Sequence, residues 1–331
     1  MKFTTGLLAL ASVAAAAPAG EESPLDVKLE MSGNSAVKAV ITNVGKENLK
    51  LLRTGSILDK IATQKATVSI DDNTVKFEGV RGRINFAGIQ EDAFQSIEAG
   101  KSIDVTFDIA ETHDLSAGGK YKIASSGSIK FQSNQIDADV NGTVAEALRS
   151  TLQRERRAKR SVIASDCTGA KLRSIKTALA NCKALAQAGK TATSSSAKMK
   201  EFFGSDSQAT VDKVNAVFAA ASTECGGTSS GADLYCTDIY NECGGYLALT
   251  YPSKSEMVYC PEHFKLPATT STCYGQSQDN TVLHESTHLS YVGNTDDHAY
   301  GYDDIVKLTT KQALDNADTY AIFAQAASSG C

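Results

Sequence analysis

Two hydrophobic rhythms divide this chain. From residue 19 to about residue 140, apolar and polar positions alternate in short runs: VKLEM at 27–31, AVKAVITNV at 36–44, KATVSI at 65–70, SIDVTFDI at 102–109 and KYKIASSGSIKF at 120–131. Successive side chains of a strand point to opposite faces, so a period of two predicts half-buried strands. DDNT, AGKS and SAGGK fall between the runs as turns. Strands punctuated this way predict an antiparallel β-sandwich. A short helix is expected over residues 143–153.

Beyond residue 160 the period lengthens. Leu172, Ile175, Leu179, Cys182, Leu185 and Ala186 recur at helical spacing, and Val211, Val214, Phe218 and Ala221 do so again. Each set lies on one face of a helix. Short β-like runs follow at 233–237, Tyr246–Tyr251 and 257–260, the last two stopped by Pro252 and Pro261. From about residue 278 the pattern is helical once more. The expected fold class is α+β, a mostly helical domain over 161–331 with a small antiparallel sheet, preceded by a β-rich, sandwich-like segment over 19–160. No internal repeat is visible.

Composition changes this picture at three places. The opening MKFTTGLLALASVAAAAPAG has one lysine, an apolar run too short to span a bilayer, and then small residues. That is the pattern of a secretory signal peptide, expected over residues 1–18 with the cut between Ala16 and Ala19. All eight cysteines lie after residue 160, and an even number in one half of an exported chain reads as four disulfides. None has zinc-ribbon spacing. Between the halves runs TLQRERRAKRSV, residues 151–162, whose dibasic Lys159-Arg160 is the expected processing site. The competing reading is a solvated basic helix face. Residues 19–160 are then a propeptide, and its Asn141-Gly142-Thr143 is a glycosylation acceptor motif. A net charge of −5, few aromatics and no tryptophan suggest neither a nucleic-acid binder nor a membrane-surface protein, and no segment after the signal peptide approaches 18 apolar residues, so no membrane partner is expected after signal removal.

The chemistry is concentrated in TVLHESTHLSYVGNTDDHAYGYDD, residues 281–304, where three of the five histidines fall. Residues four apart on a helix share a face, so His284 and His288 can aim at one ion, as tetrahedral zinc requires. Glu285 then sits beside the metal without binding it, suited to be a general base. A surface helix that carries two histidines by chance is the alternative. Catalytic zinc needs a third protein ligand and an open position. No glutamate follows Glu285, and Tyr291 and Asn294 stand where a His-x-x-Gly-x-x-His continuation would need glycine and histidine. Asp296, Asp297, His298, Asp303, Asp304, Asp315 and Asp318 remain. Gly293-Asn294 offers a turn that brings Asp297 back first, with His298 as its competitor.

His284-Glu285-x-x-His288 followed by Thr295-x-Asp297-x-x-Tyr300-Gly301 resembles the signature of the aspzincins, the deuterolysin family of zinc endopeptidases, and Asn316-Ala317-Asp318-x-Tyr320 resembles a segment near the deuterolysin C-terminus. The resemblance implies a zincin-like fold and one Zn2+ per catalytic domain, held by His284, His288 and Asp297. It further implies Glu285 as general base and Tyr300 as donor to the oxyanion, against a tyrosine that merely packs beside the site. Asp318 is expected in the pocket for the residue after the scissile bond, favouring Lys or Arg, with a zinc-ligand role as its alternative. The pairs implied are Cys167–Cys236, Cys243–Cys260 and Cys273–Cys331, leaving Cys182–Cys225. One departure from the pattern is Asn294 in place of a glycine before Thr295, a residue type that tolerates left-handed backbone angles.

The expectation is therefore a secreted, extracellular, monomeric zinc metalloendopeptidase. Its partners are protein and peptide substrates, bound extended beside an edge strand such as Tyr246–Tyr251, and its own propeptide as inhibitor or folding aid. Latency could come from steric blocking, from a capping ligand such as His113, or from incomplete folding. The mature half carries 12 Lys and Arg against 18 Asp and Glu, a net of −6 that would steer basic substrates. The rivals are a secreted zinc-binding interaction protein without turnover and an adhesin whose basic run is never cut.

Overall fold

The computed structural model of the chain describes residues 23–71, 73–125, 131–154, 163–226 and 231–331. The expected signal peptide and the Lys159-Arg160 processing site lie outside the described residues.

The N-terminal half contains β1 (Leu25–Met31), β2 (Ala36–Asn43), β3 (Leu49–Leu52), β4 (Thr67–Ile70), β5 (Asn73–Thr74), β6 (Arg81–Ile84), β7 (Phe94–Ile97), β8 (Ser102–Asp108), β9 (Gly119–Ala124), β10 (Ile136–Val140) and the helix α1 (Gly142–Arg154). A three-stranded sheet β1-β2-β8 and a four-stranded sheet β10-β9-β4-β5 bury their apolar faces in one core. Val37, Ala39 and Ile41 supply it from β2, and Val68, Tyr121 and Ile123 from the second sheet. The alternation seen in the sequence is the burial pattern of β2, where partly exposed and buried positions succeed each other along the strand. Within the run at 120–131, strand β9 ends at Ala124, and residues 126–130 lie outside the described residues.

The C-terminal half contains α2 (Gly169–Ala192), α3 (Ser196–Phe203), α4 (Gln208–Cys225), β11 (Asp233–Tyr235), β12 (Tyr246–Tyr251), β13 (Glu256–Tyr259), α5 (Gln278–His288), α6 (Tyr302–Ile305), α7 (Thr310–Leu314) and α8 (Ala317–Ser329). Helices α2, α4, α5 and α8 pack on one another around Phe202, Phe203, Phe218, Tyr320 and Phe323. Helices beside small sheets make the fold α+β, as expected. Two features of the C-terminal sheet differ from the expected small antiparallel sheet. Its order is β11-β13-β12-β6, and β11 runs parallel to β13. Its last strand, β6, comes from the N-terminal half and pairs antiparallel with β12.

Disulfides join Cys167–Cys236, Cys243–Cys260 and Cys273–Cys331, the three pairs implied by the resemblance, and Cys182–Cys225, the pair left over. Among the described residues no helix is long and apolar enough to cross a membrane.

Candidate active site

Helix α5 carries His284, Glu285 and His288, and all eleven of its residues are buried. A helix polar on so many sides can be buried only if its neighbours satisfy it. Thr281 and Ser286 return their hydroxyls to the carbonyls of Ser277 and Val282, and Thr287 pairs with Thr295 at 2.8 Å. Asn280 closes the N-terminus by accepting from the Ser277 backbone N–H.

After α5 the chain turns back. The Leu289 carbonyl accepts from the amides of Val292, Gly293 and Asn294. A Cβ at Gly293 would come within 2.8 Å of the Thr287 carbonyl oxygen, so the turn needs glycine there. Asn294 adopts the left-handed conformation, φ 52°, that its replacement of a glycine demands. Asp296 then bridges to Asn316, its N–H donating to the Asp315 carbonyl and its own carbonyl accepting from Ala317. This bridge ties the returning loop to the start of α8 and turns Asp297 toward α5.

The result is a convergence of three ligand side chains. His284 Nε2 and His288 Nε2 stand 3.2 Å apart, Asp297 Oδ1 lies 3.2 Å from the former, and Asp297 Oδ2 lies 3.3 Å from the latter. Ligands of a tetrahedral zinc with bonds of about 2.0–2.1 Å are separated by about 3.3–3.4 Å, so these edges fit the ion. The far nitrogens make the same point. His288 Nδ1 donates to the Thr295 carbonyl at 2.8 Å, and His284 Nδ1 lies 3.3 Å from Asp318 Oδ1. With protons fixed at Nδ1, both Nε2 lone pairs face each other, an arrangement that a cation resolves. Asp297 Oδ1 is buried and receives no hydrogen bond, which a cation would also cure.

The two carboxylates nearest the ligand atoms are pushed in opposite directions. Burial alone would raise the Asp297 carboxyl, but His288 and His284 outweigh it and hold it well below the usual range. Burial raises Glu285, and the same two imidazoles offset this only in part. Glu285 Oε2 accepts from Thr250 Oγ1 at 2.6 Å, so a strand hydroxyl from β12 fixes its orientation. One acid suited to bind a cation and one suited to exchange a proton thus share the site.

Tyr300 stacks beside His284, ring centroids 6.0 Å apart, and its hydroxyl donates to the Gly82 carbonyl of β6 at 2.7 Å. Asp318 is outside the ligand trio, because it meets His284 at Nδ1 and not at Nε2. Its partners are the Gly301 N–H at 2.7 Å and the Arg83 guanidinium at 3.1 Å. His298 is also outside, paired with Asp315 at 3.0 Å. His113 is buried in the N-terminal half, where its Nδ1 meets Thr112 Oγ1 and the Ile109 carbonyl, and it caps nothing at the ligand trio. Of the three routes to latency, a His113 cap is therefore excluded.

Sequence reasoning missed Thr250, Asn280, the Thr295 carbonyl and the entire strand β6. A hydroxyl on a strand or a carbonyl in a loop carries no motif. The Arg81-Gly82-Arg83 tripeptide did carry a signal, two positive charges in an otherwise ordinary β-rich segment, but its partners lie far along the chain.

Two imidazoles and a carboxylate at tetrahedral spacing, with a buried glutamate next to the first imidazole, define a zincin-type metallopeptidase; strand β12 lies alongside, but it is not the edge expected of Tyr246–Tyr251, because β6 pairs with it. The chain matches the model of the deuterolysin metalloprotease (M35) family over residues 1–331 and belongs to that family, which makes it a zinc metalloendopeptidase. Its relatives include a neutral protease 2 homolog of Pyricularia oryzae, 42% identical over 351 residues, and one of Colletotrichum graminicola, 41% identical over 355 residues. Both alignments cover 100% of each chain. A solved zinc peptidase from Grifola frondosa matches with a TM-score of 0.41 and 23% identity, over 48% of this chain and 97% of that one.

Proposed function

We propose that the chain is a secreted neutral endopeptidase, made as a preproprotein, cut after Arg160, holding one zinc and preferring Lys or Arg after the scissile bond. The observation that carries this reading is the convergence of His284, His288 and Asp297 next to Glu285, with β12 at hand to pair with an extended peptide.

When bound, zinc supplies Lewis-acid polarisation and a lowered water pKa. The remaining work falls to side chains. A substrate strand pairs with β12 in the place that β6 holds here. Glu285, steadied by Thr250, removes a proton from the attacking water and returns it to the leaving nitrogen. The Tyr300 hydroxyl donates to the oxygen on which negative charge develops, where a preformed donor lowers the barrier more than it stabilises the ground state. Asp318 and the Thr295 carbonyl hold the two imidazoles in the tautomer that leaves Nε2 free. Asp318 and Asn280 also face the side chain after the scissile bond, and the guanidinium now held between them, 3.1 Å and 2.7 Å away, supports a basic preference.

The test is digestion of a casein and of a peptide library by the processed enzyme, with and without chelator. Chelation should abolish cleavage, zinc should restore it, and sites should cluster before Lys and Arg. Undiminished cleavage in chelator would refute the metal-dependent reading.

A further inference from the structure

The groove beside β12 is filled by the chain itself. Strand β6 runs antiparallel to β12, with Gly82 opposite Leu249 and Arg83 opposite Ala248. Its central peptide bond meets the chemistry atom by atom. The Gly82 carbonyl accepts from Tyr300, and the Arg83 N–H donates to Glu285 Oε1 at 2.9 Å. The Gly82 N–H donates to Asp297 Oδ2 at 3.2 Å. Arg83, only 1% exposed, places its guanidinium against Asp318 and Asn280. Outside this bond Arg81 Nε pairs with Asp296 at 2.5 Å, the Asn85 N–H donates to Gly245, and Gln276 Nε2 donates to the Ile84 carbonyl.

These contacts have a direction. The carbonyl faces the phenol that would stabilise an oxyanion, and the amide nitrogen faces the carboxylate that would protonate a leaving amine. A strand laid in reverse would exchange the two and match neither. Glycine at 82 is required by the depth of the fit, since a Cβ there would stand 2.6 Å from both the Ala248 carbonyl oxygen and Leu249 Cδ2.

We infer that Arg81–Ile84 is a tethered pseudosubstrate that closes the cleft of the precursor, with Gly82–Arg83 in the place of the scissile bond and Arg83 as the basic residue after it. The role given to Arg83 rests on the basic preference proposed above, whereas closure by the strand does not. The same register makes Gly82–Arg83 the first bond of this segment open to self-hydrolysis. One water is consumed, its hydroxyl going to the Gly82 carbonyl carbon and its hydrogen to the Arg83 nitrogen, leaving a carboxylate and a free amine.

The experiment uses the full precursor with Arg156, Arg157, Lys159 and Arg160 changed to Gln, so that the border stays intact. Zinc-loaded parent should be nearly silent on a fluorogenic peptide with Lys after its scissile bond. Arg83→Ala and Gly82→Val should raise that activity by about 10- to 100-fold, the scale of losing a charge-assisted buried contact, while Arg83→Lys should stay closed. Amide hydrogen exchange gives a readout independent of turnover. Residues 82 and 83 should be protected in the metal-free parent and lose protection in both opening variants, with the core of the N-terminal half unchanged. Prolonged zinc incubation should yield a new amino terminus at Arg83, and a first cut at any other bond within 77–89 would overturn the register. Closure itself falls if both variants remain as silent and as protected as the parent. Should the mature enzyme show no basic preference while Arg83→Ala still opens the precursor, closure stands and the specificity reading falls.

Discussion

Helix α5 and strand β6 meet in one cleft, and both bury charged side chains, but they satisfy them from different sources. The polar groups of α5 have partners in their own half, even where Arg83 also meets Glu285 and Asn280: Thr250 on Glu285, Ser277 on Asn280, Thr295 on His288 and Thr287, Asp318 on His284. Apart from Arg81 Nη2, which donates to the Phe77 carbonyl, those of β6 look across to the other half. Arg81 meets Asp296, Gly82 meets Asp297 and Tyr300, and Arg83 meets Glu285, Asn280 and Asp318. A buried charge deprived of its partner costs several kcal/mol. The site is therefore complete without the strand, whereas the strand cannot be buried without the site. One segment is permanent equipment and the other a removable occupant, and each group β6 leaves behind is one that a peptide substrate can engage.

That distinction can be broken or sharpened by substitution. The harshest challenge is Asp297→Ala, which removes a ligand and should eliminate both stoichiometric zinc and hydrolysis, read by metal analysis and a peptide assay. Glu285→Gln should keep its zinc yet lose about 10²–10⁴-fold in kcat. If the mutant retained full activity, Glu285 would be part of the packing and not of the proton path. Tyr300→Phe should cost about 10²–10³-fold, in kcat more than in KM, because its donor acts on charge absent from the ground state. A KM effect alone would demote the phenol to a contact for bound peptide. The mildest change is Asp318→Asn. It should lower the ratio of kcat/KM for Lys over neutral residues after the scissile bond by about tenfold, with a smaller drop on all substrates from looser support of His284.

The two segments are unequally legible in the amino-acid sequence. Helix α5 has no amphipathic stripe, since every one of its residues is buried, so the helical pattern from about residue 278 marks a helix without marking its working face. What exposes it is His-Glu-x-x-His, in which a helical turn converts sequence spacing directly into coordination geometry. Asp297 is reachable because a turn of known type separates it from the helix. Strand β6 has neither advantage. Its four residues, RGRI, do not alternate, and two arginines read as solvent-facing. They are buried because Asp296 and Asp318 neutralise them, and pairing across so long a separation leaves no trace in local spacing. Likewise the parallel pairing of β11 with β13 is decided by how the intervening chain returns, which strand patterns do not encode. The strands β2 and β8, and the helices α2 and α4, are legible because their burial follows a simple period.

All four disulfides lie between Cys167 and Cys331, so no sulfur bond ties the N-terminal half to the catalytic half. Their single covalent link is the main chain around the basic run. While that link is whole, β6 competes for the groove at the effective concentration of a tethered ligand, of order millimolar for short connections. Once it is severed, the same strand becomes an ordinary solute partner, and its grip depends on how far the medium thins it. A single backbone scission thus hands control of the groove from chain connectivity to dilution.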